Sequence, residues 1–390
     1  MSYVLRDYQQ KASNAAVSFF ANRAKKNNAI MVLPTGAGKS LVIADIASRL
    51  EGHTLVFQPS KEILEQNYLK LCSYGVLDCS IYSASFGRKE ISRITFATIG
   101  SVINHPELFQ HFRNIIIDEC HLVNPKEGMY KSFLSMLKCK VLGLTATPYR
   151  LSSSRDFGSM LKFITRTRPC VFSEVIYQVQ ISTLLDMGYL SKLNYYPMNP
   201  IGWNELNLKV NTTGADYTDK SVVKEYERID FYGFLVSIVQ RLMNPKSGIK
   251  RKGILVFTRF LKEAERLTWS IPGAAIVSGD TPKKEREHIL EAFKSGEIPV
   301  VANVGVLTTG FDYPELDTIV MARPTMSLAL WYQIVGRAIR PHPNKEAGWV
   351  VDLCGNIKRF GEVKDLRLVD GGNGKWAVYS KGRQLTNVRF

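Results

Sequence analysis

The chain has 390 residues, 45% of them hydrophobic, enough to bury a sizeable core and to exclude a disordered or fibrous polymer. Lysine and arginine number 51 against 35 aspartate and glutamate, and the formal net charge of +16 favours a polyanionic partner, nucleic acid ahead of an anionic membrane surface. No apolar run approaches the length of a membrane span and the opening MSYVLRDYQQ lacks the apolar core of a secretory signal, so the expected location is the cytoplasm.

Read from the N-terminus, NAIMVL at 28–33 is a short apolar run of buried-strand character, and LVIADIASRL from Leu41 repeats apolar residues at helical spacing. Between them lies PTGAGKS. Its glycines, Gly36 and Gly38, let the backbone N–H groups from Thr35 through Ala37 to Ser40 turn inward on an anion, at the positive end of the following helix. Lys39 then reaches the outer phosphates of a nucleoside triphosphate and the Ser40 hydroxyl ligates Mg²⁺. This is the shorter GxGK[ST] form, because Leu33 stands where the eight-residue pattern has glycine.

The second half of such a site follows at IIIDECH, 115–121. Three isoleucines read as a buried strand that delivers Asp118 and Glu119 at its C-terminal edge, where open α/β sheets hold their ligands. Asp118 is expected to hold Mg²⁺ through water, and Glu119 to orient and deprotonate an attacking water. The six cysteines, at 72, 79, 120, 139, 170 and 354, form no CxxC pair and are read as reduced, mostly buried thiols. Cys120 and His121 lack the further neighbours that a zinc site needs.

Short apolar runs recur in two series. The first is 28–33, 53–57, 93–98, 115–118 and 140–146; the second is 253–258, 274–277, 299–304, 317–322 and 349–353. Helical or turn-rich segments separate most of them, which predicts two parallel-sheet α/β domains. The expected boundaries are 1–168 for the first domain, 169–365 for the second with an insertion or linker at 195–250, and 366–390 for a short hairpin around GGNG. SSSRDFG at 152–158 reads as linker, and the aromatic, polar stretch 195–217 as insertion.

Taken together the motifs resemble those of a superfamily 2 helicase of the DExH type. LRDYQ at 5–9 is similar to the adenine-reading element, PSKEILEQ at 59–66 to motif Ia, TIGS at 98–101 to motif Ib and TAT at 145–147 to motif III. LVFT at 255–258, TTGFD at 308–312 and QIVGRAIR at 333–340 resemble motifs IV, V and VI. Within the superfamily, VLPTGAGKSLVIA, LGLTATPYRL, SGDTPKKER and VLTTGFD resemble the RadD-like DNA repair helicases, whose cysteine-rich, zinc-binding extension has no counterpart in the residues up to Phe390. The resemblance implies two tandem RecA-like domains with the ATP site in the cleft between them.

It also implies roles. Gln9 has an amide that can donate to and accept from the adenine edge, with Arg6 beside it to bond or stack. Arg337 and Arg340, three apart on one helical face, become arginine fingers offered to a phosphate held by the other domain, and Gln333 lies one turn earlier within reach of the γ-phosphate or the water. In motif V, Gly310 permits close backbone approach, Asp312 serves the ribose or an arginine finger, and Thr308 and Thr309 face nucleic-acid phosphates. Thr145 and Thr147 relay the state of the acidic pair. Ser60, Lys61, Thr98, Ser101, Thr258 and Arg259 are expected to line a backbone-tracking groove with little sequence specificity. The implied activity is ATP-dependent translocation on or unwinding of DNA. The alternatives are a DExH RNA helicase and an ATP-gated clamp or annealing factor that does not unwind processively.

Overall fold

The computed structural model describes residues 4–154, 158–198, 206–212, 215–246, 248, 251, 253–307 and 311–388. The first sheet begins with β1 (Ala29–Val32), β2 (Thr54–Phe57), β3 (Cys79–Ser83), β4 (Arg88–Lys89), β5 (Ile94–Ala97), β6 (Asn114–Asp118) and β7 (Lys140–Thr145). A two-stranded hairpin, β8 (Tyr149–Ser154) and β9 (Gly158–Phe163), follows, and β10 (Glu174–Gln178) returns to the first sheet. The order is β10-β1-β7-β6-β2-β5-β3-β4, parallel except for the β3–β4 pair. Every residue of β1, β2, β5, β6 and β7 is buried, as expected where helices cover both faces of a parallel sheet, and this is why these strands read as unbroken apolar runs.

Strand order positions the chemistry. β1, β7 and β6 are neighbours, with Val32 opposite Thr145 and Leu144 opposite Asp118. The glycine loop, the TAT segment and the acidic pair therefore leave the same sheet edge side by side. The helix Lys39–Arg49 starts directly from that edge, burying Val42, Ile43, Ile46 and Ala47 against the sheet.

The second sheet is wholly parallel in the order β11-β16-β15-β12-β14-β13, from β11 (Lys192–Pro197), β12 (Ile254–Thr258), β13 (Ala275–Val277), β14 (Val300–Val304), β15 (Thr318–Ala322) and β16 (Ala347–Asp352). All ten expected runs are strands. Leu190, Tyr332 and Ile339 join one continuous apolar core that crosses from the first sheet to the second.

Four expectations about organisation are corrected. The boundary at 168/169 falls too early, because β10 pairs with β1 inside the first sheet. Of the expected linker at 152–158, residues 152–154 and 158 belong to the hairpin, in which Tyr149 pairs with Phe163 and Ser152 with Met160, and residues 155–157 lie outside the described residues. The stretch from 195 begins inside a strand, Tyr195 pairing with Val350 at the sheet's edge, where a terminal Pro197 removes no needed donor. Nor are residues 219–243 simply inserted, since the helices Asp219–Arg228 and Phe231–Met243 build core: Tyr226 stacks on Phe231 at 3.9 Å and its hydroxyl donates to the Ala322 carbonyl at 2.9 Å. The tail gains a strand over a simple hairpin, forming β17 (Leu366–Asp370), β18 (Trp376–Ser380) and β19 (Arg383–Gln384). It docks back on the chain between the sheets, where the Gln180 amide exchanges two hydrogen bonds with the Leu368 backbone, at 2.7 and 3.0 Å.

Candidate nucleotide site and nucleic-acid groove

Gly36 and Gly38 adopt left-handed backbone angles, φ of 82° and 76°, which a side chain would strain and which curl the loop around the start of the helix Lys39–Arg49. A Cβ on Gly38 would also sit 2.5 Å from Gln9 Nε2. Gln9 is buried under this loop: Nε2 donates to the Ala37 carbonyl at 2.9 Å and Oε1 accepts from the Arg6 backbone N–H at 2.9 Å. One N–H and one acceptor site of the amide are thus engaged, leaving one of each. The Arg6 guanidinium lies over the ring of Tyr189, 4.2 Å from its centroid, a partner that sequence reading did not single out.

At the sheet edge Lys39 is ion-paired with Glu119 and lies 3.9 Å from Asp118. Burial works against its charge, but the two carboxylates outweigh burial and hold the ammonium above its ordinary pKa. Burial pushes Asp118 up to about 6, while for Glu119 the pull of Lys39 and His121 exceeds the burial penalty and brings the carboxyl down to about 2. Glu119 itself has φ of 49°, an uncommon left-handed geometry for a residue with a side chain.

His121 supplies the link to motif III. Its Nδ1 is 3.0 Å from Thr145 Oγ1, 3.2 Å from Thr147 Oγ1 and 3.3 Å from Glu119 Oε2. Sequence reading weighed His121 only as a metal ligand; its place two residues after Glu119 was the available signal. Among the described residues no group of three or more His, Cys, Asp or Glu is arranged to hold a metal. A Mg²⁺ held by the Ser40 hydroxyl, Asp118 and the nucleotide's own oxygens needs no such group, and the residues fit it.

The second domain closes over this edge. A cleft of about 400 Å³ is lined by Thr35, Lys39, Ser40, Asp118 and Glu119 on one side and by Asp312, Gln333, Arg337 and Arg340 on the other. Arg337 Nη1 donates to the Phe311 carbonyl at 2.8 Å; burial lowers the guanidinium to about 10, opposed by the charge of Glu119. Arg340 is ion-paired with Asp312. The seam between the domains is tight at Gly336, where a Cβ would meet Thr35 Cγ2 at 2.7 Å. Gly336→Ala is therefore expected to lower turnover by on the order of 10²-fold by wedging the cleft, with much less effect on nucleotide binding to the loop. Steady-state hydrolysis beside equilibrium nucleotide binding checks this, and an unchanged kcat would refute the seam.

The expected groove divides. Ser60 caps its helix by accepting from the Ile63 N–H at 3.3 Å, and the hydroxyls of Thr98 and Ser101 are 2.9 Å apart. Lys61 Nζ donates to the Ser85 carbonyl at 2.7 Å while Ser101 accepts from the Ala84 N–H at 3.0 Å, so the turn Ala84–Phe86 ties Lys61, the chain neighbour of Ser60, to Ser101 and through it to Thr98. Thr258 and Arg259 do not join them. Thr258 is fully buried with its hydroxyl 3.4 Å from the Asn303 carbonyl. Arg259 is spent on Asp216 at 3.0 Å, Asp219 at 2.8 Å and the Tyr217 carbonyl at 2.7 Å. Both are structural, and neither is a free phosphate contact. Thr308, Thr309 and Gly310 lie outside the described residues.

Residues 2–150 match the family described as the res subunit of type III restriction enzymes, and residues 235–342 match the helicase conserved C-terminal domain. The first match falls in the domain that carries the glycine loop, and the second in the domain that carries Gln333, Arg337 and Arg340. Among curated relatives, the chain is 24% identical to the putative ATP-dependent helicase IRC3 of Saccharomyces cerevisiae, over 90% of this chain and 52% of that protein. It is 28% identical to the DNA 3'-5' translocase XPB2 of Sulfurisphaera tokodaii, over 88% of this chain and 80% of that one. With 52% of IRC3 covered, and 58% of the Mycobacterium tuberculosis XPB helicase, the chain spans little more than half the length of several relatives. In fold it is similar to a fragment of a putative HsdR subunit of a type I restriction enzyme from Vibrio vulnificus, with a TM-score of 0.68, 20% identity, and coverage of 98% of this chain and 70% of that one.

Proposed function

We propose that the chain is an ATP-driven DNA translocase or helicase. The observation that carries this reading is the interdomain cleft: Lys39, Asp118 and Glu119 face Gln333, Arg337 and Arg340 across a space bounded by the glycine loop. Triphosphate oxygens entering the loop draw Lys39 away from Glu119, which frees that carboxylate to accept a proton from water. Ser40 and Asp118 would hold a Mg²⁺, which would supply charge neutralisation on the phosphates. Arg337 and Arg340 reach those phosphates only from the second domain, so hydrolysis is tied to closure of the cleft. His121 passes the position of Glu119 to Thr145 and Thr147 at the sheet edge.

DNA is favoured over RNA by the names of relatives, DNA translocase and DNA helicase, and by the motif resemblance to RadD-like repair helicases, whereas the charge of +16 suits either polyanion. We assign the chain to the cytoplasm, in keeping with its six free thiols. The test is ATP hydrolysis with and without single-stranded, duplex and forked DNA and matched RNA, followed by strand displacement. DNA is expected to raise turnover by favouring the closed cleft. Turnover that no nucleic acid changes at low salt would leave a simple nucleotidase.

A further inference from the structure

The first domain carries a second, smaller cavity of about 150 Å³, where the loop after the acidic turn meets the hairpin β8–β9 and the segment beyond it. Its cations are Lys126, Arg150 and Arg168, its neutral polar groups Asn124, Ser152 and Thr167, and among the described residues no carboxylate lines it. Arg150 Nη1 donates to the Val123 carbonyl, and Arg168 Nη1 to the Thr167 carbonyl at 2.8 Å. Among the described residues none of these three cations is in an ion pair. Arg259 differs, with two aspartates neutralising it. Three cations with no ion-pair partner among the described residues focus a positive potential in one concavity, and their remaining N–H groups suit a group that only accepts hydrogen bonds, the Thr167 hydroxyl being already given to the Ile164 carbonyl at 2.9 Å.

The location selects the anion. Tyr130 packs edge-on against Phe57 at 5.4 Å, three residues before Ser60, and the helix Met129–Ser135 packs on the helix Ile99–Val102 that holds Ser101. Lys126 thus stands three residues before a helix that packs on the helix holding Ser101, so this short segment connects the cavity to the part of the first domain that carries the cluster.

We infer that this cavity seats a backbone phosphate of bound DNA beyond the Ser60–Ser101 cluster, with Lys126, Arg150 and Arg168 as its contacts. The inference rests on the proposed nucleic-acid function. It is tested by fluorescence anisotropy of the full chain with labelled single-stranded and duplex DNA of two unrelated sequences, and with RNA of matching length, at several salt concentrations. Lys126→Glu and Arg168→Glu, at exposed positions that the fold tolerates, and Arg150→Gln are compared with wild type, and melting curves check folding. Each variant is expected to lower the magnitude of the log-log salt slope by roughly 0.7 to 0.9 per phosphate lost, equally for both sequences. If Arg150→Gln fails to fold, the two exposed variants decide. Wild type that binds DNA while all folded variants keep its slope overturns this inference alone, as does an effect confined to RNA or matched by inorganic phosphate competition only. Wild type that binds no DNA removes the proposed function as well.

Discussion

Glu119→Gln is expected to lower ATP turnover by roughly 10²–10⁴-fold while nucleotide binding persists. The substitution keeps the shape and removes the proton acceptor. It also removes the charge that Lys39 pairs with in the structure, so Lys39 becomes freer to meet phosphates and ATP affinity is expected to hold or rise. Lys39→Ala behaves differently. It leaves two carboxylates at a buried edge with no cation, repelling the incoming phosphates, and both binding and turnover are lost. Fluorescent-nucleotide titration beside single-turnover hydrolysis separates the two variants; near-wild-type turnover in Glu119→Gln would remove that carboxylate from the chemistry.

Arg337→Ala and Arg340→Ala are each expected to cost roughly 10³–10⁵-fold in kcat, the range for arginine fingers, with ATP affinity changed far less. The nucleotide is held by the glycine loop of the first domain, whereas both guanidinium groups approach from the second. Their starting points differ. Arg337 is buried against the Phe311 carbonyl, and Arg340 is engaged by Asp312 and must exchange that carboxylate for phosphate. Asp312→Ala therefore makes a useful companion: releasing Arg340 is expected to raise basal hydrolysis and shrink the stimulation by DNA. Equal stimulation in Asp312→Ala and wild type would show that the Arg340–Asp312 pair does not restrain the site.

Much of this site was legible in the chain because it is made of local pieces. A glycine loop between a buried strand and a helix, and two carboxylates ending an isoleucine run, are each specified by neighbours within ten residues, through backbone freedom and burial of one strand. Seven of the ten strands that were read, β1, β2, β5, β6, β7, β12 and β15, are wholly buried, and such parallel strands leave unbroken apolar runs. The edge strands β10 and β11 were not read. β10 is half-buried along its length and β11 alternates with polar residues, so neither carries that signature, and the first domain was ended too soon.

Side-chain availability was decided by tertiary structure alone. Arg259 and Lys126 look alike in sequence, each a cation next to a turn. Folding brings Asp216 and Asp219, forty or so residues away, onto Arg259, whereas the described walls around Lys126 hold Arg150 and Arg168 and no carboxylate. Whether a cation is spent depends on which distant charges the fold sets beside it, and a linear reading carries no such distance. His121 shows the same limit. Its adjacency to Glu119 was visible, but its contact with Thr145 and Thr147 exists only because β6 and β7 are paired in register, which turns two separate motifs into one hydrogen-bonded unit.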